Sequence, residues 1–268
     1  MTSPNHNHEN LDKVDMSARD KVGISTLERY AGSASGKYQP YVLLTNFKRY
    51  ADTFSETFHQ PVHQGSAMRS CHSPEEQLTI VDYGVGSPVA ALIIELLSFV
   101  NPKAVIMLGM CGGLRSKYSV GDFFNPIAAI REEGTSNAYM PPQCPSLATF
   151  WIQRRVCNEL ERRDIQYHTG VIHTTNVRLW EFKENFRRNL KAEYADAIDM
   201  ECATLFTVGF AMHVPVGALM LISDLPLERG GVKTKESAHE IFKQHMKNHL
   251  EIGIDILKDI RKGDKKDQ

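Results

Sequence analysis

No apolar run in this 268-residue chain reaches the ~20 residues that a membrane-spanning helix requires. The N-terminus, with His6, His8, Glu9 and Asp12, lacks the apolar centre of a secretory signal. An excess of one charge is missing too: 31 Lys and Arg face 32 Asp and Glu, a formal net charge of −1. That balance argues against a nucleic-acid or membrane-surface binder. The five cysteines, Cys71, Cys111, Cys144, Cys157 and Cys202, form no CxxC pair. They read as free thiols in a reducing compartment, so a cytoplasmic protein is expected. Other signatures are present only in broken form. Gly84-Val85-Gly86-Ser87-Pro88 follows an apolar strand but lacks the third glycine of a dinucleotide fingerprint. His245 and His249 have the spacing of a zinc protease helix, but Met246 stands where the glutamate belongs. His59, His63 and His72 match no tight metal spacing. No metal and no cofactor is assigned.

The length suits one large α/β domain. Residues 1–22 are polar and without periodicity and read as a disordered tail, 23–262 as a single domain, and 263–268 as a frayed charged end. Continuous apolar runs of the kind buried on both faces occur at Tyr41–Thr45, Leu78–Tyr83, Ala104–Leu108 and Pro215–Ser223. Further strands are expected at Asp122–Ile130, Tyr167–Thr175 and around Ala197. A short helix is expected at Ile24–Ala31, and helical spacing marks Pro88–Val100, Phe150–Arg163, the segment up to Met212 and Ile241–Ile260. Strands alternating with helices predict a three-layer α/β domain with a central mixed, largely parallel sheet flanked by helices. The helix Pro88–Val100, with Glu95 its only charge, is expected to bury itself against the sheet and a partner subunit.

Ligands of such sheets bind beyond the strand ends, and four strand ends here are polar or glycine-rich. Asn46 follows the first strand as a helix cap, with Arg49 as an anion ligand or a solvated helix charge. Gly84–Ser87 leads into a helix with Ser87 as cap and Pro88 first in the helix, leaving free N–H groups near Gly86 for an anion or a hydroxyl. Gly109-Met110-Cys111-Gly112-Gly113-Leu114 implies close approach to a ligand or to another strand. Cys111 reads as a small buried filler rather than a nucleophile, since no base is identifiable near it. At Asp199-Met200-Glu201 two carboxylates sit one residue apart in an apolar run. Either they serve chemistry, or Asp199 caps the following helix and Glu201 favours its first turn. Ser223-Asp224 ends the last strand, as a functional acid or an Asx-turn.

Gly109–Leu114, Asp199-Met200-Glu201-Cys202-Ala203 and Ser223-Asp224 together resemble the signatures of the purine nucleoside phosphorylase/nucleosidase family. The likeness runs from Tyr41 to Leu257. Leu44–Tyr50, Cys111–Arg115, Thr174–Glu181 and Ser223–Leu227 are similar to the AMP nucleosidase branch of it, in a short form without a regulatory domain. The resemblance implies a nucleoside phosphorylase-like fold, hydrolysis of the N-glycosidic bond of AMP, and a homo-hexamer with no nucleic-acid or membrane partner. It implies Asp224 as the acid that protonates the purine at N7, with a raised pKa, and Glu201 as the carboxylate that holds the ribose hydroxyls. It further implies substrate contacts from Met200, Asp199, Met110, Cys111, Gly112, Ser223, Asn46 and Gly86, with Trp180 against the purine. Arg49, Arg115 and Arg178 are the candidates for the 5′-phosphate. The phosphate-binding loop of the phosphorylases is absent after the first strand, which favours water. The carboxylates that activate water in methylthioadenosine-type nucleosidases are absent too, so the activating group stays open. A phosphorylase, a methylthioadenosine-type nucleosidase and a non-catalytic nucleotide sensor are the alternatives. Regulation by ATP is expected to be missing.

Overall fold

The computed structural model describes residues 16–228, 230–232 and 234–264. In chain order the elements are α1 (Met16–Ala31), β1 (Tyr41–Thr45), α2 (Lys48–Phe58), β2 (Val62–Gln64), β3 (Arg69–Ser73), β4 (Leu78–Asp82) and α3 (Ser87–Ser98). Then follow β5 (Ala104–Gly113), β6 (Phe123–Arg131), β7 (Ser146–Leu147), α4 (Phe150–Arg162) and β8 (Tyr167–Thr174). The chain ends with α5 (Glu184–Ala192), β9 (Ala197–Asp199), α6 (Cys202–Ala211), β10 (Val216–Asp224) and α7 (Lys235–Asp264).

The strands form one mixed sheet in the order β10-β6-β8-β9-β5-β1-β4-β3-β2. Parallel pairing runs through β4, β1, β5 and β10 and through β6, β8 and β9. The pairings β2–β3, β3–β4, β6–β7, β10–β6 and β5–β9 are antiparallel. Because β10 pairs with β5 as well as β6, the strands β5, β10, β6, β8 and β9 curl back on themselves. Long β5 makes this possible: its first half pairs with β1 and its last residues with β9.

Strand periodicity separates two cores. Val42 and Leu44 of β1, with Val105 and Met107 of β5, face the layer of α1, α3 and α6. Tyr41 and Leu43, with Ile106 and Leu108, face α2, α4 and α7. A smaller third cluster joins Trp180, Leu190, Ala195 and Ile198. Among the described residues no helix is long and apolar enough to cross a membrane, and all five cysteines are free.

Several expectations are revised. Residues 16–22, read as tail, are the opening turns of α1; residues 1–15, with His6 and His8, lie outside the described residues. A Cβ at Gly23 would meet the Phe99 ring at 2.2 Å, so that glycine lets α1 lie directly on the end of α3. Within the chain, α1 and α6 both pack on α3. The segment between α2 and β4, for which no element is expected from the sequence, holds the hairpin β2–β3. Phe47, not Asn46, precedes α2, and Gly86, not Ser87, precedes α3, with Pro88 second in the helix. Helix α7 begins before Ile241 and reaches Asp264, so part of the expected frayed end is helical.

Candidate active site

Register brings the strand ends together. Gly112 of β5 stands opposite Ile198 of β9 on one edge and Asp224 of β10 on the other. The β10 register shifts between Ile222 and Asp224, and such a bulge re-aims the side chains that follow it. Ser223 Oγ donates to Asp224 Oδ1 at 2.7 Å and lies 3.3 Å from the Cys111 carbonyl oxygen. The glycines permit this crowding. A Cβ at Gly112 would lie 3.0 Å from Pro226 and 3.1 Å from Ile198, and one at Gly113 would lie 2.9 Å from Leu225. Neighbouring chain therefore already occupies the space those glycines leave. Met110 and Cys111 are buried in opposite cores.

The junction of β9 and α6 carries the two carboxylates. Asp199 is 6% exposed. Its Oδ1 accepts from Thr174 Oγ1 at 2.6 Å, and its Oδ2 accepts from the backbone N–H of Cys202 at 2.7 Å and of Glu201 at 3.2 Å. Thr174 Oγ1 in turn accepts from Ala203 N at 2.9 Å. Asp199 and Thr174 thus satisfy N–H groups that the start of α6 leaves without intrahelical partners. Glu201 is 3% exposed. Its Oε1 accepts from Gly86 N at 2.8 Å, and the Asn46 side chain also hydrogen-bonds it. Burial first, and the charge of Asp199 second, push the Glu201 carboxyl up to about 8. Burial likewise raises Asp199. It also raises the Cys202 thiol, with Asp199 adding to the effect, so that sulfur stays protonated and unreactive. The backbone N–H of Gly86 is taken up by Glu201, and Ser87 Oγ donates to the Met200 carbonyl at 2.8 Å. The free anion site expected at the start of α3 is filled by the chain's own carboxylate.

A pocket of about 120 Å³ opens beside this junction, lined by Gly112, Thr175, Val177, Arg178, Trp180, Glu181, Ile198, Asp199, Met200, Asp224 and Pro226. The structure therefore gathers Asp224, Asp199, Met200, Gly112, Trp180 and Arg178 around one space. Glu201 is hydrogen-bonded to Gly86 N and to the Asn46 side chain, and none of these three is among the residues lining the pocket. Arg178 pairs with buried Glu181 at 3.2 Å. Arg115 is not brought there: its Nε binds Asp196 Oδ1 at 2.8 Å and its other end the Tyr194 carbonyl. Arg49 lines a second cleft of about 870 Å³ between α2 and α7, with Asn46, Lys48, His239, Lys243 and Lys247 among its walls. Asn46 belongs both to that cleft and to the surroundings of Glu201. Reading the sequence missed Thr174 and Thr175 as site residues, and it missed the cationic cleft. Their place at the end of a strand and within the Thr174–Glu181 segment that resembles the family signalled them.

His63 and His72 lie side by side, but His72 is held by Ser33 and Thr79 at 2.8 and 2.9 Å. Among the described residues no group of three or more His, Cys, Asp or Glu is arranged to hold a metal ion.

The family model of the phosphorylase superfamily matches residues 42–259. The AMP nucleosidase of Escherichia coli (strain K12) is 29% identical over 286 residues, covering 88% of this chain and 58% of that protein. The chain thus spans little more than half the length of that curated relative. The solved structure of AMP nucleosidase from Bacteroides thetaiotaomicron is 38% identical, with a TM-score of 0.81, and covers 92% of this chain and 99% of that one. A uridine phosphorylase structure from Vibrio fischeri superposes with a TM-score of 0.76 at 20% identity, covering 89% of this chain and 98% of that one. That last likeness speaks to the fold alone.

Proposed function

Because the chain belongs to the phosphorylase superfamily, whose nucleoside phosphorylase-like fold it shares, we propose that it hydrolyses AMP to adenine and ribose 5-phosphate. The observation that carries this reading is the placement of Asp224 and the Asp199–Glu201 junction on either side of Gly112, with the pocket between them. The purine occupies the pocket beside Trp180, and Asp224 donates a proton to N7 as the C–N bond breaks. General acid catalysis of that kind contributes ~10²–10⁴ in rate. The ribose lies over Met200. Glu201 accepts hydrogen bonds from its 2′- and 3′-hydroxyls and stabilises the positive charge that develops on the sugar. Asp199 is the positioning residue, holding the Glu201 backbone through the start of α6.

Two features favour water over phosphate as nucleophile. Gly86 N–H and Ser87 Oγ, the donors a free phosphate would use at the start of α3, are engaged by Glu201 and Met200. The segment after β1 has no glycine-rich loop. The phosphate of the substrate instead fits the cleft beyond Asn46. There Arg49, Lys48, Lys243 and Lys247 meet a single acid, Glu56, among the lining residues, a setting that suits a dianion. Arg49 is thus preferred over Arg115, which is held by Asp196, and over Arg178, which is held by Glu181. The exposed aromatic side chains of Phe150 and Phe210 offer surface that a homo-oligomer, and in this reading a hexamer, would cover.

The test incubates the protein with AMP, adenosine and methylthioadenosine, with and without phosphate. Adenine released from AMP at a rate independent of phosphate is the expected result. Cleavage of adenosine only when phosphate is present would replace the hydrolase by a phosphorylase.

A further inference from the structure

Glu181 sits in the short turn Trp180–Phe182, is 8% exposed, and lines the same pocket as Asp224 and Trp180. One of its carboxylate oxygens, Oε1, accepts from Arg178 Nη1 at 3.2 Å. The other, Oε2, is buried with no hydrogen-bond partner among the described residues. A buried carboxylate oxygen without a donor is costly, and a carboxylate can only accept. A donor carried by a ligand of the pocket that Glu181 lines would satisfy it.

Resting on the purine-cleaving reading of the pocket, we propose that Glu181 reads the base: its free oxygen accepts from the exocyclic 6-amino group and sets a preference for 6-amino over 6-oxo purines. With Asp224 at N7, the substituent at C6 is the next group along the same edge of the purine. An amino group there donates to the carboxylate. A 6-oxo group would set its lone pairs against the carboxylate and leave Oε2 unpaired. Sites built to receive one hydrogen-bonding group reject analogues that lack it far more strongly than apolar pockets reject a methylene. Arg178, holding the other oxygen, fixes the direction in which the carboxylate faces. Glu181 is in this account a specificity residue and takes no part in proton transfer.

The experiment measures equilibrium binding of free adenine and free hypoxanthine to the wild type and to Glu181→Gln, beside kcat/KM for AMP and for inosine monophosphate. The wild type is expected to prefer adenine at least ~10-fold. The glutamine amide offers a donor to a 6-oxo group, so the variant is expected to narrow the adenine-to-hypoxanthine ratio at least ~10-fold. The ratio kcat/KM for the two nucleotides is expected to move in parallel. A merely structural role would weaken both bases together and leave the ratio in place. A ratio unchanged within twofold overturns the proposal even if AMP is hydrolysed. A ratio that moves in a protein that does not cleave AMP keeps the proposal and sinks the hydrolase reading. If Glu181→Gln does not fold, Glu181→Asp, which withdraws the same carboxylate by one methylene, carries the same comparison.

Discussion

Glu201→Gln is expected to make the protein more stable and much less active. The Glu201 carboxyl is pushed from its ordinary 4.5 up to about 8, chiefly by burial and then by the charge of Asp199. A folded-state pKa above the unfolded one means that the group's contribution to stability is complete below about pH 4.5. It is lost progressively as the pH rises through 8. At pH 7 the loss amounts to 2.5 pH units at ~1.4 kcal/mol each, or about 3 kcal/mol. By pH 9 the full shift is felt, about 5 kcal/mol. Glutamine has nothing to ionise. Its carbonyl can still accept from Gly86 N, and its amide can donate to Asn46 Oδ1, which is buried and without a partner among the described residues. A protein of this size gains roughly 2–4 °C in Tm per kcal/mol, so the variant should melt ~6–12 °C above the wild type at pH 7. Its advantage should be absent at pH 4.5 and widest near pH 9. Activity moves the other way. In the complex the ribose hydroxyls and the positive charge developing on the sugar favour the ionised form of Glu201, and two charged hydrogen bonds are worth ~1.5–3 kcal/mol each, so kcat/KM for AMP should fall ~10²–10⁴-fold. Thermal or denaturant unfolding across pH 4.5–9, beside adenine release, reads both. A stability difference that does not grow with pH, or that favours the wild type at pH 9, refutes the assignment of a buried, reluctantly ionised carboxyl.

Three further substitutions separate the roles assigned around Gly112. Asp224→Asn should lower kcat for AMP cleavage by ~10²–10⁴ while AMP still binds, as equilibrium dialysis would show; unchanged turnover removes Asp224 as the acid. Asp199→Ala strips a helix cap worth ~0.5–2 kcal/mol and leaves the buried Thr174 hydroxyl without its acceptor at ~1–3 kcal/mol. It should therefore destabilise the fold by about 2–4 kcal/mol in denaturant titrations, and a neutral effect would contradict the capping role. Arg49→Ala should raise KM for AMP at least ~10-fold without affecting binding of adenosine, whereas Arg115→Ala should leave both unchanged; the reverse pattern would move the phosphate out of the cationic cleft.

Elements whose burial is written as a continuous apolar run were legible in the sequence. Tyr41–Thr45, Leu78–Asp82 and Val216–Asp224 are strands within a residue or two of where the run begins and ends. The hairpin β2–β3 was not, because its inward positions are polar: Ser70 and His72 are buried through hydrogen bonds to Ser33 and Thr79 rather than through apolar contact. The first turns of helix α1, residues 16–22, escaped for a related reason, although its second half, Ile24–Ala31, was legible as a helix. Its polar composition hides that Leu27 and Ala31 reach the core, and its seat on Phe99 depends on Gly23. Within the site, the position of Asp199, Glu201 and Asp224 at strand ends was enough to single them out. Which arginine faces which space was not legible. Arg115 meets Asp196, and Arg49 meets α7, across long stretches of chain that only the folded sheet brings together. The N–H of Gly86 looked open for the same reason, since the Glu201 that occupies it lies 115 residues further on.

In the proposed reaction water, not phosphate, attacks the sugar of AMP. This is tested most directly by running the reaction in ¹⁸O-labelled water in the presence of inorganic phosphate and weighing the sugar product. The expected product is ribose 5-phosphate carrying one ¹⁸O at C1, formed at the same rate whether or not phosphate is added. A doubly phosphorylated ribose, with adenine appearing only when phosphate is supplied, would contradict it.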